Sequence, residues 1–323
     1  MKKSNEEPLV SVIIVNYDGR KFLEECLPSL MKVDYDNIEI ILVDNNSTDD
    51  SIEFVKRTFP KIIIIKLDGN YGFAEPNNIG AKNARGDFLL FLNNDTMVEQ
   101  SFITEMINVV KKDSKIAICQ SLLLKPDGKV DSSGDFVDTL GRAYSLKDRP
   151  YNIRRILSAR GASMLIRKKI FNELGGFDKN FFASFEDVDL GWRAWLAGYI
   201  VILVPTSIVY HKSGKTIQKL TSEVQFHGVK NTITLRFTNF ELSRAITSSF
   251  MTFFIVALKK IFGITVKPHQ GNFNPLPSTK NMIKGITWFL ANLGYVSEKR
   301  KIVNSKRVKT TEDLIKLGLI TPT

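Results

Sequence analysis

The chain has 323 residues, 43% hydrophobic and 24% charged, a composition that fits a globular protein long enough for a well-buried core. Its two cysteines, Cys26 and Cys119, lie far apart and fit neither a disulfide framework nor a metal-ligand spacing, so a reducing, cytoplasmic location is expected. The polar opening, Met1 to Pro8, holds no apolar core of a secretory signal. The net charge is +11, and from Phe240 onward Lys and Arg outnumber Asp and Glu by 13 to 4. No Cys/His cluster, nucleophile elbow, Walker loop or Gly-x-Gly-x-x-Gly run occurs, which argues against hydrolase, ATPase and dinucleotide-oxidoreductase chemistry.

Taken in chain order, the first half alternates apolar runs with amphipathic stretches. Leu9 to Val15 predicts a strand covered on both faces. Residues 19 to 32 predict a helix with Phe22, Leu23, Cys26, Leu27 and Leu30 on one side. Ile38 to Val43 predicts a second strand, and Ser47-Thr48-Asp49 supplies capping chemistry for a helix through Thr58. Ile62 to Leu67 predicts a third strand, residues 76 to 85 a helix closed by Gly86, and Phe88 to Leu92 a fourth strand. The series predicts an α/β fold with a Rossmann-like, mostly parallel central sheet flanked by helices.

The second half is less regular. Residues 115 to 124 and 155 to 167 predict strands, and Ala183 to Gly198 contains a helix carrying Glu186, Asp187, Asp189 and Arg193. Ile200 to Val204 and Ile208 to His211 predict two short strands separated by Pro205. Beyond about Lys215 the pattern is helical, with a linker expected over Lys267 to Ser278. The expected division is residues 1–238 as the main domain and 239–323 as a basic helical extension. Its apolar stretches, Ala245 to Leu258 and Met282 to Val296, are shorter than the ~20 residues of a spanning helix. Flanked by Lys259, Lys260, Lys299, Arg300 and Lys301, they suit either an anionic membrane surface at the inner face of the cell membrane or a helical cap on the main domain.

Ligands of such sheets bind beyond the carboxyl ends of the strands. Three polar groups fall there: Asn16-Tyr17, Asp44-Asn45-Asn46 and Asn93-Asn94-Asp95. Asp95 can give a carboxylate oxygen to a hard divalent cation bridging a nucleoside diphosphate, although Asn-Asn-Asp is also good turn material. Asp44 can accept from the imide N–H of uracil or thymine, or serve the approach to a helix. Gly72, in Asn70-Tyr71-Gly72-Phe73-Ala74, permits close backbone approach to a ligand. Glu186-Asp187-Val188-Asp189 puts three carboxylates near a helix start. That favours the helix dipole, and it also suits a general base, since clustered like charges raise a pKa. Asp189 can pair with Arg193 one turn on, leaving Asp187 free to face a cleft.

Together these residues resemble the family 2 glycosyltransferases of the GT-A fold, particularly the rhamnosyltransferase-like branch. The matching runs are Val-Ser-Val-Ile-Ile-Val-Asn-Tyr (10–17), Val-Asp-Asn-Asn-Ser-Thr-Asp-Asp-Ser (43–51), Asn-Tyr-Gly-Phe-Ala (70–74), Asn-Asn-Ile-Gly (77–80) and Gly-Asp-Phe-Leu-Leu-Phe-Leu-Asn-Asn-Asp-Thr (86–96). Further on come Arg-Gly-Ala-Ser-Met-Leu-Ile-Arg (160–167), Gly-Gly-Phe-Asp (175–178), Phe-Glu-Asp-Val-Asp-Leu-Gly-Trp-Arg (185–193), Ala-Gly-Tyr (197–199) and Val-Tyr-His-Lys-Ser-Gly (209–214). The resemblance implies an inverting transfer from a nucleotide-sugar donor, such as dTDP-rhamnose or a UDP-sugar, to a glycan or lipid-linked acceptor. It implies Mn²⁺ or Mg²⁺ held by Asp95 and His211, and Asp187 as base with Glu186 beside it. Asn16, Asp44, Asn46, Asn70, Gly72, Asn78, Asn93 and Asn94 would surround the donor. Two positions depart from the pattern: the usual Asp-x-Asp reads Asn93-Asn94-Asp95, and Glu75-Pro76 stands where relatives often have Gly-Gly. The rival expectations are a non-catalytic nucleotide-sugar-binding protein and, less suited for want of interleaved aromatic and basic residues, a nucleic-acid-binding one.

Overall fold

The computed structural model describes residues 7–212, 221–262 and 278–323. The first half follows the expected alternation: β1 (Val10–Asn16), α1 (Arg20–Leu30), β2 (Ile38–Asp44), α2 (Ser51–Thr58), β3 (Ile63–Lys66), α3 (Ala74–Asn83) and β4 (Phe88–Leu92). Then come β5 (Thr96–Val98), α4 (Phe102–Val110), β6 (Ile116–Leu124), β7 (Val130–Ser132), β8 (Asp135–Asp138), β9 (Ala143–Ser145), β10 (Arg154–Arg155), β11 (Ser163–Arg167), α5 (Lys168–Leu174), α6 (Glu186–Leu196) and β12 (Ile200–His211). The chain continues with α7 (Thr221–Asn239), α8 (Leu242–Ile261), α9 (Thr279–Ala291), α10 (Leu293–Ser305), α11 (Thr311–Lys316) and β13 (Ile320–Thr321).

The main sheet runs β10-β12-β6-β11-β4-β1-β2-β3, with β5 paired to β12 and β7 to β6. Pairs β1–β2, β1–β4, β2–β3 and β6–β12 are parallel, and β11 is inserted antiparallel between β4 and β6. Side-chain alternation splits these strands between two cores. Ile13, Ile41, Val43, Leu89 and Phe91 face one core with α3, α5 and α6. Val12, Ile14, Ile40, Leu42, Leu90 and Leu92 face the other, with α1, α2 and α4. Both faces are thus covered, which explains the near-continuous apolar runs of β1, β2 and β4.

Several boundaries differ from expectation for identifiable reasons. The third helix spans Ala74–Asn83 rather than 76–85, and Pro76 lies in its first turn, where no N–H is required of it. Ser47 does not cap α2, which starts at Ser51; its hydroxyl accepts from the Asp18 N–H at 3.0 Å and from the Asn16 amide at 3.1 Å. The strand expected over 155–167 is broken into β10 and β11, because the intervening residues turn aside toward α6. Conversely, the two short strands around Pro205 are one strand, β12, whose register against β6 shifts between Val204 and Ile208. A proline lacks the N–H for a regular ladder, and a bulge absorbs it. Of the expected linker only Ser278, the N-cap of α9, is among the described residues.

The C-terminal helices are tied to the main sheet's supports. β13 pairs in parallel with β8 in a small sheet that β9 completes. Ile233, Phe289 and Val296 form a core among α7, α9 and α10. Among the described residues no helix is long and apolar enough to cross a membrane.

The strongest tie is ionic. Lys299 Nζ in α10 lies 2.5 Å from an Asp178 oxygen and 3.0 Å from Asp189 Oδ1, and Asp189 also holds Arg193 at 2.7 Å. Tyr295 donates its hydroxyl to Asp178. Burial pushes the Asp178 carboxyl up, but Lys299 and Tyr295 outweigh it and hold it below its ordinary value. Removing one member of a buried ionic group leaves uncompensated charge. Lys299→Met is expected to destabilise the chain by roughly 3–5 kcal/mol, measured by chemical denaturation, with a smaller loss for Lys299→Arg.

Candidate active site

Parallel pairing sets Asn16 opposite Asp44 at the carboxyl ends of β1 and β2. The Asn16 amide donates to Ser47 Oγ at 3.1 Å and Ser51 Oγ at 2.9 Å, and its oxygen accepts from Asn94 Nδ2 at 2.9 Å. The ends of β1, β2 and β4 are therefore joined directly. Asn45, 2% exposed, carries the connection onward, donating to Asn70 Oδ1 at 2.9 Å and to the Gly72 carbonyl at 2.8 Å. Asn46 is exposed with φ +66. Gly72 has φ +78, and a Cβ there would lie 2.3 Å from the Phe182 carbonyl oxygen, so only glycine allows the 70–74 loop to sit against the turn before α6. Asp44 is 3% exposed; its Oδ2 accepts weakly from the Ser47 N–H at 3.4 Å, and its Oδ1 has no hydrogen-bond partner among the described residues. A buried carboxylate oxygen without a donor is costly unless a ligand supplies one. Asn78 stands apart from this cluster, with both ends of its amide bonded to the Phe177 backbone at 2.8 and 3.0 Å.

A second group forms where β5 pairs antiparallel with the end of β12, setting His211 opposite Thr96. The Lys212 N–H donates to the Asp95 carbonyl at 3.0 Å, and His211 Nε2 comes within 3.3 Å of Asp95 Oδ1 and 3.3 Å of the Asn93 amide nitrogen. On its other side, His211 Nδ1 lies 2.9 Å from Asp131 Oδ2. A carboxylate only accepts, so Nδ1 carries the proton and the ring is oriented with Nε2 toward Asp95. Burial alone would lower the imidazole pKa; Asp131 and Asp95 outweigh it and raise it to about 9. Arg160 extends the chain of charges, reaching Asp135 at 3.2 Å and Asp131 at 3.8 Å. Among the described residues no group of three or more His, Cys, Asp or Glu side chains is arranged to hold a metal ion.

Asp187 lies in the first turn of α6. The turn before it is strained: Phe182, Ser184 and Phe185 have φ of +56, +73 and +70, in a region that side-chain-bearing residues rarely occupy. Neighbours hold it there. Asn231 of α7 donates its amide to the carbonyls of Phe181, Ala183 and Ser184, and the Phe73 N–H donates to the Phe182 carbonyl at 2.6 Å. Gly191 lets α6 approach the 156–161 segment, since a Cβ would meet the Leu157 carbonyl at 2.7 Å. That approach lets Ser158 donate to the Asp187 carbonyl at 2.7 Å, and the Gly161 N–H to Asp187 Oδ2 at 3.3 Å. Burial, then the charge of Asp135, raise the Asp187 carboxyl to about 6, with Arg160 opposing. Glu186 is 6% exposed, and its pKa is pushed well above the carboxylate range, first by burial and then by Asp187.

Asp131, Asp135 and Arg160 were not singled out as site residues in the sequence. Asp131 and Asp135 lie in a stretch without helical or strand periodicity, and no local pattern points to His211 from there. Arg160 was visible only inside the run Arg-Gly-Ala-Ser-Met-Leu-Ile-Arg.

Comparisons with known proteins bear on the family and the fold. Residues 11–175 match the model for the glycosyl transferase family 2. A 223-residue stretch is 30% identical to the O-antigen biosynthesis protein RfbC of Myxococcus xanthus, covering 64% of this chain but only 17% of that protein. A 249-residue stretch is 24% identical to an N-acetylglucosaminyl-diphospho-decaprenol L-rhamnosyltransferase of Mycobacterium tuberculosis, covering 68% of this chain and 81% of that one. Among solved structures, GalNAc-T7 with UDP, GalNAc and Mn²⁺ superposes with a TM-score of 0.62 at 17% identity, over 90% of this chain and 57% of that one. Staphylococcus aureus TarS in complex with UDP-GlcNAc gives 0.58 at 17% identity, over 96% and 92%. These likenesses establish the GT-A architecture, and with more than half of its length matched by the family model, the chain belongs to glycosyl transferase family 2 and is a glycosyltransferase.

Proposed function

We propose that this enzyme is an inverting, metal-assisted transferase that moves a sugar from a nucleoside-diphosphate donor to a hydroxyl of a lipid-linked glycan at the inner face of the cell membrane. What carries this reading is the orphaned Asp44 Oδ1 at a strand end that the Asn16–Asn94 hydrogen bond joins to the turn bearing the Asp95–His211 pair, with Asp187 held at Gly161, one residue before the Ala162 carbonyl that accepts from the Asn93 N–H. Asp44 Oδ1 accepts the imide N–H of a uracil or thymine base, which supplies the missing donor. Asn16, Asn70, Gly72 and Asn94 line the way from base to diphosphate. The relative named as an L-rhamnosyltransferase acting on a polyprenyl-diphosphate sugar supports rhamnose from dTDP-rhamnose and an acceptor of that class. A nucleotide-sugar-binding protein without turnover is disfavoured, because the raised pKa of Asp187 suits proton abstraction near neutral pH.

Asp95 and His211 fit a divalent ion as two protein ligands, with diphosphate oxygens and water completing its shell. Such an ion supplies charge neutralisation of the leaving diphosphate. Asn93, in place of a carboxylate, makes the site weak until the donor arrives. Asp131 keeps the His211 ring in the ligating orientation, as carboxylates behind metal-bound histidines do. In the transfer, the acceptor oxygen forms a bond to the anomeric carbon as the bond from that carbon to the phosphate oxygen breaks. The electron pair leaves with the nucleoside diphosphate, and the acceptor proton passes to Asp187. Glu186 beside it, its carboxyl raised by burial and by Asp187, disfavours a second negative charge next to the base. The turn at 182–185 holds the carboxylate on its approach line.

Three outcomes test this reading. Asp187→Asn and Asp95→Ala should each lower kcat with a dTDP- or UDP-sugar by at least about a hundredfold; retention of activity in both variants sinks the assignment. Because the base works only when ionised, kcat/KM should rise with pH, with a midpoint near the Asp187 value of about 6 and a tenfold fall per pH unit below it. Asp131→Asn should weaken Mn²⁺ binding in the presence of nucleoside diphosphate by about 10–100-fold, read by calorimetry, while leaving binding of the metal-free nucleotide intact.

A further inference from the structure

Helix α8 has a face that the fold does not use. Ala245, Ser248 and Ser249 are buried against the body, and Phe253 packs on the core of α7, α9 and α10. Opposite them, Leu242, Ile246, Phe250 and Phe254 recur every fourth residue, the spacing of one continuous helical stripe. They are 52%, 53%, 68% and 51% exposed, and Phe250 and Phe254 lie nearly parallel with ring centroids 6.5 Å apart. Met251 beside them is 47% exposed, and Ile261 and Phe262 at the helix end are 73% and 69% exposed. From Phe250 to Phe262 the only charged residues are Lys259 and Lys260. A helix that is apolar on its outer as well as its inner side, and not covered by any of the described residues, marks an interaction surface.

The charge of the region decides among occupants. Between Glu241 and Glu298 the sequence has no Asp or Glu and six Lys or Arg: Arg244, Lys259, Lys260, Lys267, Lys280 and Lys284. Lys280 and Lys284 belong to α9, whose Ile283 is 59% exposed. Arg244 pairs with Glu312 at 2.5 Å, and the remaining charges of the stretch are lysines. An aromatic and aliphatic ridge in this basic stretch complements a bilayer with anionic headgroups, whose acyl boundary receives the side chains while the headgroups receive the lysines. A second copy of this chain would present the same basic region and be repelled by it. A nucleic acid would meet the charges but leave the apolar ridge in water.

We propose that the outer face of α8 is an in-plane membrane-docking surface: Leu242, Ile246, Phe250, Met251 and Phe254, with Ile261 and Phe262, enter the interface of an anionic bilayer. The surface deepens the membrane-side placement given above and does not depend on the transfer chemistry, so either reading can fail alone.

The experiment is co-sedimentation of the full chain with vesicles of phosphatidylcholine, with or without phosphatidylglycerol. The intact chain should pellet with the mixed vesicles and far less with pure phosphatidylcholine. Phe250→Asp with Phe254→Asp should lower partitioning at least about tenfold, with thermal unfolding and donor turnover toward a water-soluble acceptor unchanged. Lys259→Glu with Lys260→Glu should reduce binding to the anionic vesicles by about tenfold or more and leave binding to neutral vesicles as it was. Failure of the intact chain to pellet, or unchanged partitioning of both double variants, overturns the proposal. A concentration-dependent dimer abolished by Phe254→Asp would assign the face to a second copy and overturn it equally.

Discussion

The pairing of β5 with the last residues of β12 is the constraint on which the site depends. It takes a turn at the end of β4, Asn93-Asn94-Asp95, and closes it against a histidine from the far end of the sheet. Without that antiparallel bridge Asp95 would be an ordinary turn carboxylate. With it, Asp95 meets an imidazole whose other nitrogen is already bound to a buried aspartate. Orientation of the imidazole is thus settled by the protein, so a ligand arriving at Nε2 finds a preorganised partner.

Asp187 is organised on a different principle. Its side chain is placed by a strained turn rather than by sheet pairing, and the strain is sustained by side chains from elsewhere. Asn231 holds the carbonyls of Phe181, Ala183 and Ser184, and the start of α3 holds that of Phe182. Arg160 and Asp135 then act on Asp187 with opposite sign, while burial dominates both. The 70–74 loop leans on the same turn at Gly72, so that loop and Asp187 share one mechanical support.

The C-terminal helices are part of that support. Asn231 belongs to α7, and Lys299 of α10 joins Asp178 to Asp189, on either side of the strained turn and next to Asp187 in sequence. Lys299 of the basic extension and Asn231 of the helix that precedes it therefore both steady the segment that carries Asp187. The extension's basic charge is not uniform in use: Lys299 is internal, whereas the carboxylate-free stretch around α8 borders an exposed apolar ridge.

The sequence by itself determined the α/β alternation, the parallel arrangement and the polar strand ends that the fold brings together. The reason is local: two-sided burial writes itself as unbroken apolar runs, and polar residues interrupting them at β1, β2 and β4 stand out. Asn16, Asp44, Asp95 and the Asp189–Arg193 pair were legible on those terms, and the resemblance to a family added roles for Asp187 and His211. Tertiary structure alone decided that Asp131 and Arg160 join His211 and Asp187, because their neighbours in the chain carry no periodicity. It also decided that Pro205 sits in a bulge of one strand, and that residues 156–162 leave the sheet to meet α6. Each of these depends on contacts between segments remote in sequence, where hydrogen-bond satisfaction and close approach at Gly72 and Gly191 outweigh local preference.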